Sequence, residues 1–154
     1  KLILKSSSNL IDQKILKKFE EENVINSIHL ESYKKNFEDH INLYKKIDIA
    51  LDTFPYNGVT TSFEALWMNV PVITMKGYNF NSRCGESINK NAGIENLIAF
   101  NEENYIQKAC QLSQNVEELI KIRKNIFKNI MNTSLFNSKK FSYNFFNSLK
   151  YLIK

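Results

Sequence analysis

No stretch of the 154 residues approaches the roughly 20 consecutive apolar residues that cross a bilayer. The opening KLILKSSSNL also lacks the long apolar core and cleavage site of a secretory signal. The expectation is a cytoplasmic protein with no membrane partner. Cysteine is scarce: Cys84 and Cys110 lie far apart, with no second cysteine or histidine at metal spacing. That excludes a disulfide framework and a zinc site, and free thiols fit a reducing compartment. Glycine (4) and proline (2) are few, and arginine is confined to Arg83 and Arg123, while lysine, asparagine and isoleucine abound. This bias fits an AT-rich genome better than a function, a hypothesis that the base composition of the genome would test. The net charge of +5 is carried by lysines scattered among acids, without a continuous basic stripe, so no nucleic-acid partner is expected. There is no repeat at a fixed period and no low-complexity linker, and the length suits one domain.

What is present is an alternation of short apolar runs and helical spacings. Leu2 to Leu4 reads as a strand, SSSN as a loop, and Ile11, Ile15, Leu16 and Phe19 as a helix. Asn26 to Leu30 predicts a second strand. Phe37, His40, Ile41, Tyr44 and Ile47 recur at helical spacing, with His40 beside the apolar stripe. Ile49 to Leu51 has the continuous apolar pattern of a parallel strand covered on both faces, and FPYNG breaks it. A helix from Thr61 stops before Pro71, and VIT follows as a strand leading to a loop at Lys76 and Gly77. A helix over 82–91, a strand over 97–99 and helices near 102–114 and 116–131 complete the pattern of an α/β, doubly wound parallel sheet. The tail, 138–153, carries Phe141, Phe145, Phe146, Leu149 and Leu152 at helical spacing. That is more apolar surface than a terminal helix needs, so it is expected to pack on something absent. The chain opens on Lys1 rather than a methionine, and a missing front is expected.

Residues 48 to 66, DIALDTFPYNGVTTSFEAL, are a buried strand, a loop and the start of a helix. In a parallel sheet this is where ligands bind, because loops at the carboxyl ends of strands line the crevice and helix N-termini attract anions. A phosphate could sit at Thr60 and Thr61, with Gly58 allowing close backbone approach or positive φ. The same letters fit a capping box, Thr61 capping and Glu64 reaching back, and on pattern alone the cap is the plainer reading. Tyr56 and Asn57 could touch a ligand or simply form a turn. His40 alone reads as a half-buried helix histidine. Arg83, at a helix start where a cation is disfavoured, calls for an acidic partner such as Glu86 or a ligand phosphate, the salt bridge being the plainer choice.

HINLYKKIDIALDTFPYNGVTTSFEALWMNVPVITMKG, followed by SRCGESI, GIENLIAFNEENYIQKA and SLFNSKKF, resembles in order the C-terminal lobe of the O-GlcNAc transferase and SPINDLY family of glycosyltransferases. The motifs are jointly specific and cover essentially the whole chain. The resemblance implies a GT-B type protein: two Rossmann-like lobes facing across a cleft, usually after a superhelix of tetratricopeptide repeats. The C-terminal lobe would bind the nucleotide-sugar donor, UDP-GlcNAc or a GDP-sugar, without a metal or other cofactor. Residues 1–137 would be that lobe without its N-terminal part, and 138–154 a helix that packs toward the absent partner lobe.

Carried over by position, His40 packs on the nucleotide base, Thr60 and Thr61 hold the diphosphate, and Glu64 takes the ribose hydroxyls, with Asn57 and Gly58 completing the donor site. Val59 stands where the animal enzyme has a histidine, and Phe37 and Leu43 where it has basic residues, so the base is open. The family's charge-compensating lysine and its acceptor residues lie outside this chain. The implied activity is inverting transfer of a sugar to a protein Ser or Thr hydroxyl. No residue here is assigned as general base, His29 included, and no turnover is expected from the isolated chain. Two other readings are a non-catalytic nucleotide-binding or scaffold module and a sugar-nucleotide epimerase. The latter needs paired carboxylates that this chain does not show.

Overall fold

The computed structural model describes residues 1–6 and 9–153. In chain order the elements are β1 (Leu2–Ser6), α1 (Asn9–Glu21), β2 (Ile28–Ser32), α2 (Phe37–Asn42), β3 (Ala50–Leu51), α3 (Thr60–Trp67), β4 (Val72–Met75), α4 (Cys84–Ala92), β5 (Ile98–Ala99), α5 (Glu102–Gln114), α6 (Val116–Met131) and α7 (Ser138–Leu152). The loop expected at SSSN falls on Ser7 and Ser8, outside the described residues. The chain divides into two compact units, Lys1–Ile47 and Asp48–Lys154.

In the first unit β1 and β2 run parallel, from Leu2 opposite Ile28 to Ser6 opposite Ser32, joined through α1. Glu31 is buried on β2 and takes Lys34 and Lys46, each at 3.2 Å. Asn36 starts α2, its side chain accepting from the Glu38 amide at 2.9 Å. The helix expected from Phe37 to Ile47 is not continuous. It gives way at Leu43 to a 3-10 turn, Leu43–Lys46, in which Ile47 N–H donates to the Tyr44 carbonyl at 3.2 Å. The tighter winding satisfies carbonyls that a longer helix would have used, and Tyr44 is buried there.

The second unit holds β3, β4 and β5 side by side in sequence order, all parallel. Central β4 is buried at all four residues, as a parallel strand covered on both faces requires. Helices α3 and α4, the two crossovers, pack on β4, on each other and on α6, while α5 packs on β4 and β5. On α6 the spacing Leu119, Ile122, Ile126, Ile130 produces one buried stripe. Leu66, Ile73, Ile126 and Ile130 are 0 % exposed, and each such side chain contributes about 1.5–3 kcal/mol of hydrophobic stabilisation.

The abundant asparagine has a structural use: Asn101, Asn115 and Asn137 cap α5, α6 and α7 as Asn36 caps α2. Asn69, at φ 58°, ends α3, with Val70 N–H donating back to the Ala65 carbonyl at 2.8 Å before Pro71 forbids continuation. Helix α7 forms where expected, and each of its residues is exposed. The α/β class and parallel sheets expected of a Rossmann-like lobe are observed.

Candidate functional site

Because β3, β4 and β5 are parallel, their carboxyl ends share one edge, and the loop from Asp52 to Val59 leaves it. Asp52 N–H donates to the Ile73 carbonyl at 2.9 Å, so this residue is still tied to β4 as the chain turns. Its carboxylate then works in two directions. Oδ1 accepts from the Gly58 amide and Oδ2 from the Thr74 hydroxyl, both at 2.7 Å. The Tyr105 hydroxyl donates to the Asp52 carbonyl at 2.8 Å. Burial pushes the Asp52 carboxyl above its ordinary value, against the hydrogen bonds from Thr74, Gly58 and Thr53. Burial, with Asp52 beside it, pushes the Tyr105 phenol up to about 12.

The loop closes on itself. Thr53 Oγ1 donates to the Tyr56 carbonyl at 2.7 Å. Asn57 is 1 % exposed. Its Nδ2 donates to the Thr53 carbonyl at 3.0 Å, and its Oδ1 accepts from the Gly85 amide at 3.2 Å. Both ends of the Asn57 amide are thus bonded to backbone, and the side chain clamps the loop to α4. Gly58 does not use positive φ. What it needs is room, since a Cβ there would run into Thr61 Oγ1 and lie 3.5 Å from Asp52 Oδ1. Gly85 is constrained likewise, because its Cβ would meet Thr74 Oγ1 and approach Asp52 Oδ2 to 2.7 Å.

The helix start read at a Thr61 cap lies earlier in the structure. Val59 is the N-cap, without a side-chain cap bond, and α3 begins at Thr60. With Gly58 held by Asp52, Ser62 Oγ donates to the Gly58 carbonyl at 2.6 Å and Phe63 N–H to the Val59 carbonyl at 3.0 Å, which starts the helix earlier. Thr60 and Thr61 are exposed in the first turn, where amides have no intrahelical carbonyl to reach. Glu64 follows them at i+4 and i+3 and shares their side of α3, while Ser62, Ala65 and Leu66 are buried on the other. Asn57, Gly58, Thr60, Thr61 and Glu64 thus belong to one loop and helix of the second unit. His40 belongs to the first unit, half-buried on α2. Lys5 Nζ lies 2.5 Å from its Nδ1, and the Tyr44 ring stands edge-on at 5.8 Å.

One group escaped sequence reasoning. Asp52 served there only to bound a strand. A carboxylate directly before a Pro/Gly loop at a strand's carboxyl end was the signal that could have found it. Glu86 was expected to pair with Arg83 and does so, Nε to Oε2 at 2.9 Å, but Lys90 at 2.9 Å and Lys76 at 3.3 Å join it. The hydrogen bond from Lys90, opposed by burial and reinforced by Arg83 and Lys76, holds the Glu86 carboxyl at about 2. Among the described residues no cluster of His, Cys, Asp or Glu is arranged to hold a metal, and no helix is long and apolar enough to cross a membrane.

The model of glycosyl transferase family 41 matches residues 8–145. A probable UDP-N-acetylglucosamine–peptide N-acetylglucosaminyltransferase SPINDLY of Solanum lycopersicum is 41 % identical over 106 residues, 69 % of this chain and 11 % of that protein. The UDP-N-acetylglucosamine–peptide N-acetylglucosaminyltransferase of Caenorhabditis elegans is 28 % identical over 104 residues, 68 % of this chain and 9 % of that protein. The solved structure of a mutant O-GlcNAc transferase of Thermobaculum terrenum matches with a TM-score of 0.89 at 29 % identity, covering 97 % of this chain and 29 % of that one. The chain thus spans a small part of the length of the proteins it resembles. With the family model matching most of its residues, and its fold shared with an O-GlcNAc transferase, the chain belongs to glycosyl transferase family 41.

Proposed function

We propose that this chain is the C-terminal, donor-binding lobe of a two-lobed inverting glycosyltransferase, and that the longer protein transfers a sugar from a nucleotide donor to Ser or Thr hydroxyls of proteins. The observation that carries the reading is the first turn of α3. Thr60 and Thr61 are exposed there at the carboxyl edge of a parallel sheet, on a loop that Asp52 and Asn57 hold in place. In this reading the helix N-terminus and the two hydroxyls receive the donor's diphosphate, and Glu64 accepts from the ribose cis-diol. His40 packs on the base, Gly58 admits the phosphates, and Asn57 acts through the shape of the loop. The same donors become catalytic contributors when charge grows on the departing diphosphate, because hydrogen bonds that strengthen toward the transition state accelerate the reaction. The other lobe supplies the acceptor groups and covers the bare apolar stripe of α7. The donor is UDP-GlcNAc or a GDP-sugar, and no metal takes part.

Calorimetric titration of the chain with UDP and with GDP tests this. One nucleotide is expected to bind and to name the base, with Thr61→Val and Glu64→Gln each weakening it about tenfold, the usual scale for a lost hydrogen bond to a charged group. Absence of binding by both nucleotides, or variants that bind as the parent does, would sink the proposal.

A further inference from the structure

A cavity of about 600 Å³ opens between α3 and α4, lined by Val59, Phe63, Phe80, Ile88 and Leu135 on its apolar side and by the Arg83, Glu86 and Lys90 cluster on its polar side. We propose that it docks an acidic protein segment bearing one large apolar side chain, and that this segment belongs to the acceptor protein. The acceptor assignment rests on the donor-binding reading above, whereas the docking itself does not.

The size suits an anchoring side chain with its flanking backbone. Phe80 on its lining is 85 % exposed, an apolar surface of the kind that interfaces cover. The charge selects the partner. Lys76, Arg83 and Lys90 surround one carboxylate, Glu86, so three positive charges against one negative leave the cluster with an excess of two. Arg83 reaches Glu86 through Nε. Among the described residues its two terminal nitrogens have no protein partner, and that edge of a guanidinium receives carboxylates side-on. Glu86 is the only acidic residue on the lining.

The chain's own bare helix does not fit: α7 carries Lys139, Lys140 and Lys150 and no acidic residue, so its charge repels the groove. A free phosphate would leave the apolar wall unused. Val59 both lines the groove and directly precedes Thr60, so a segment lying in it reaches the first turn of α3.

The test is fluorescence anisotropy of the chain with a labelled hexapeptide, Asp-Glu-Phe-Ser-Asp-Glu, beside versions with lysine for each acid and alanine for phenylalanine. Saturable binding of the first peptide alone is expected, weakened about fivefold or more by Phe80→Ser and by Arg83→Gln and by added salt. Phe80→Ser removes an exposed side chain and keeps the test valid if Arg83→Gln unfolds, with unfolding curves of both as the check. Equal binding of the lysine peptide, or a Phe80→Ser variant that binds as the parent does, overturns the proposal. Self-association of the chain through this face, or a small aromatic acid binding as tightly as the peptide, reassigns the groove and also overturns it. UDP and GDP titrations on the same preparation separate the two readings: peptide binding without nucleotide binding keeps the docking site and removes the donor site, and the reverse result does the opposite.

Discussion

Asp52 holds the Gly58 amide at 2.7 Å, and with it the entry of α3, while its other oxygen takes the Thr74 hydroxyl of the central strand. Asp52→Ala would leave both donors without their acceptor, a cost of about 1–3 kcal/mol per buried group. Asp52→Asn keeps an acceptor for Gly58 and can donate to Thr74, so it should lose less than the alanine variant. The pH dependence has a definite sign. A carboxyl whose folded pKa is raised stabilises fully below its ordinary value of 3.8 and loses that contribution as pH rises through the folded value. Urea unfolding should therefore show Asp52→Asn gaining on the parent as pH rises above the ordinary value of 3.8, and a constant gap would contradict the burial argument.

Glu86 behaves oppositely. Its carboxyl, lowered from 4.5 to about 2, stabilises above 4.5, and the contribution disappears as pH falls toward 2. Glu86→Gln should be less stable than the parent at neutral pH, with the difference vanishing in acid. A gap that persists at the lowest pH where the parent still folds would show that packing, not charge, made the difference.

Removing the Asn57 clamp tests how the loop is held. Asn57→Ala would orphan the buried Gly85 amide and open a cavity, and should cost about 2–4 kcal/mol in denaturant unfolding. Nucleotide affinity should fall as well, since the residues proposed to bind follow directly. Unchanged stability would mean that water or a neighbour replaces the side chain.

Tyr105 offers a spectroscopic check. With its phenol pushed up to about 12, an ultraviolet titration should contain one tyrosine that ionises only there, and Tyr105→Phe should abolish that component. The same variant should lose about 0.5–1.5 kcal/mol for the missing bond to the Asp52 carbonyl.

Close-packing explains a further expectation at Gly58. An added methyl would collide with Thr61 Oγ1. Gly58→Ala should displace the first turn of α3 and reduce nucleotide affinity even where the protein still folds, and nucleotide titration with circular dichroism separates those effects.

Much of the fold was legible because local and tertiary preferences agree. The helices read at 102–114 and 116–131 match α5 and α6, where Asn101 and Asn115 cap and a clear apolar stripe points inward. VIT read as a short buried strand, as β4 is, whereas Ile49 to Leu51, read as covered on both faces, gives a β3 in which Ala50 is half-buried and Leu51 exposed. The misreadings arose where the backbone path, not the side-chain pattern, decided. The helix start read at Thr61 lost to one at Thr60, set by Asp52 at the end of β3 accepting from the Gly58 amide across the loop, a bond that the Thr61–Glu64 pattern does not show. The break after Asn42 was invisible because a 3-10 turn preserves the apolar spacing that made it look like one helix. At Glu86 the partners on its own helix were readable at i−3 and i+4, whereas Lys76 arrives from the loop after β4.

Helix α7 has 15 residues, one side-chain cap at Asn137 and no buried side chain. An isolated helix of that length is marginal in water, since packing of an apolar face ordinarily supplies most helical stability. The stacked Phe141 and Phe145 rings, 5.9 Å apart, and Lys150 over the Phe146 ring are its local supports. Uncovered, the segment will fray and refold rapidly, and its amides will exchange with solvent far faster than those of α6. Its helicity therefore reports occupancy of its apolar face, a signal that hydrogen exchange can read without knowing what the cover is.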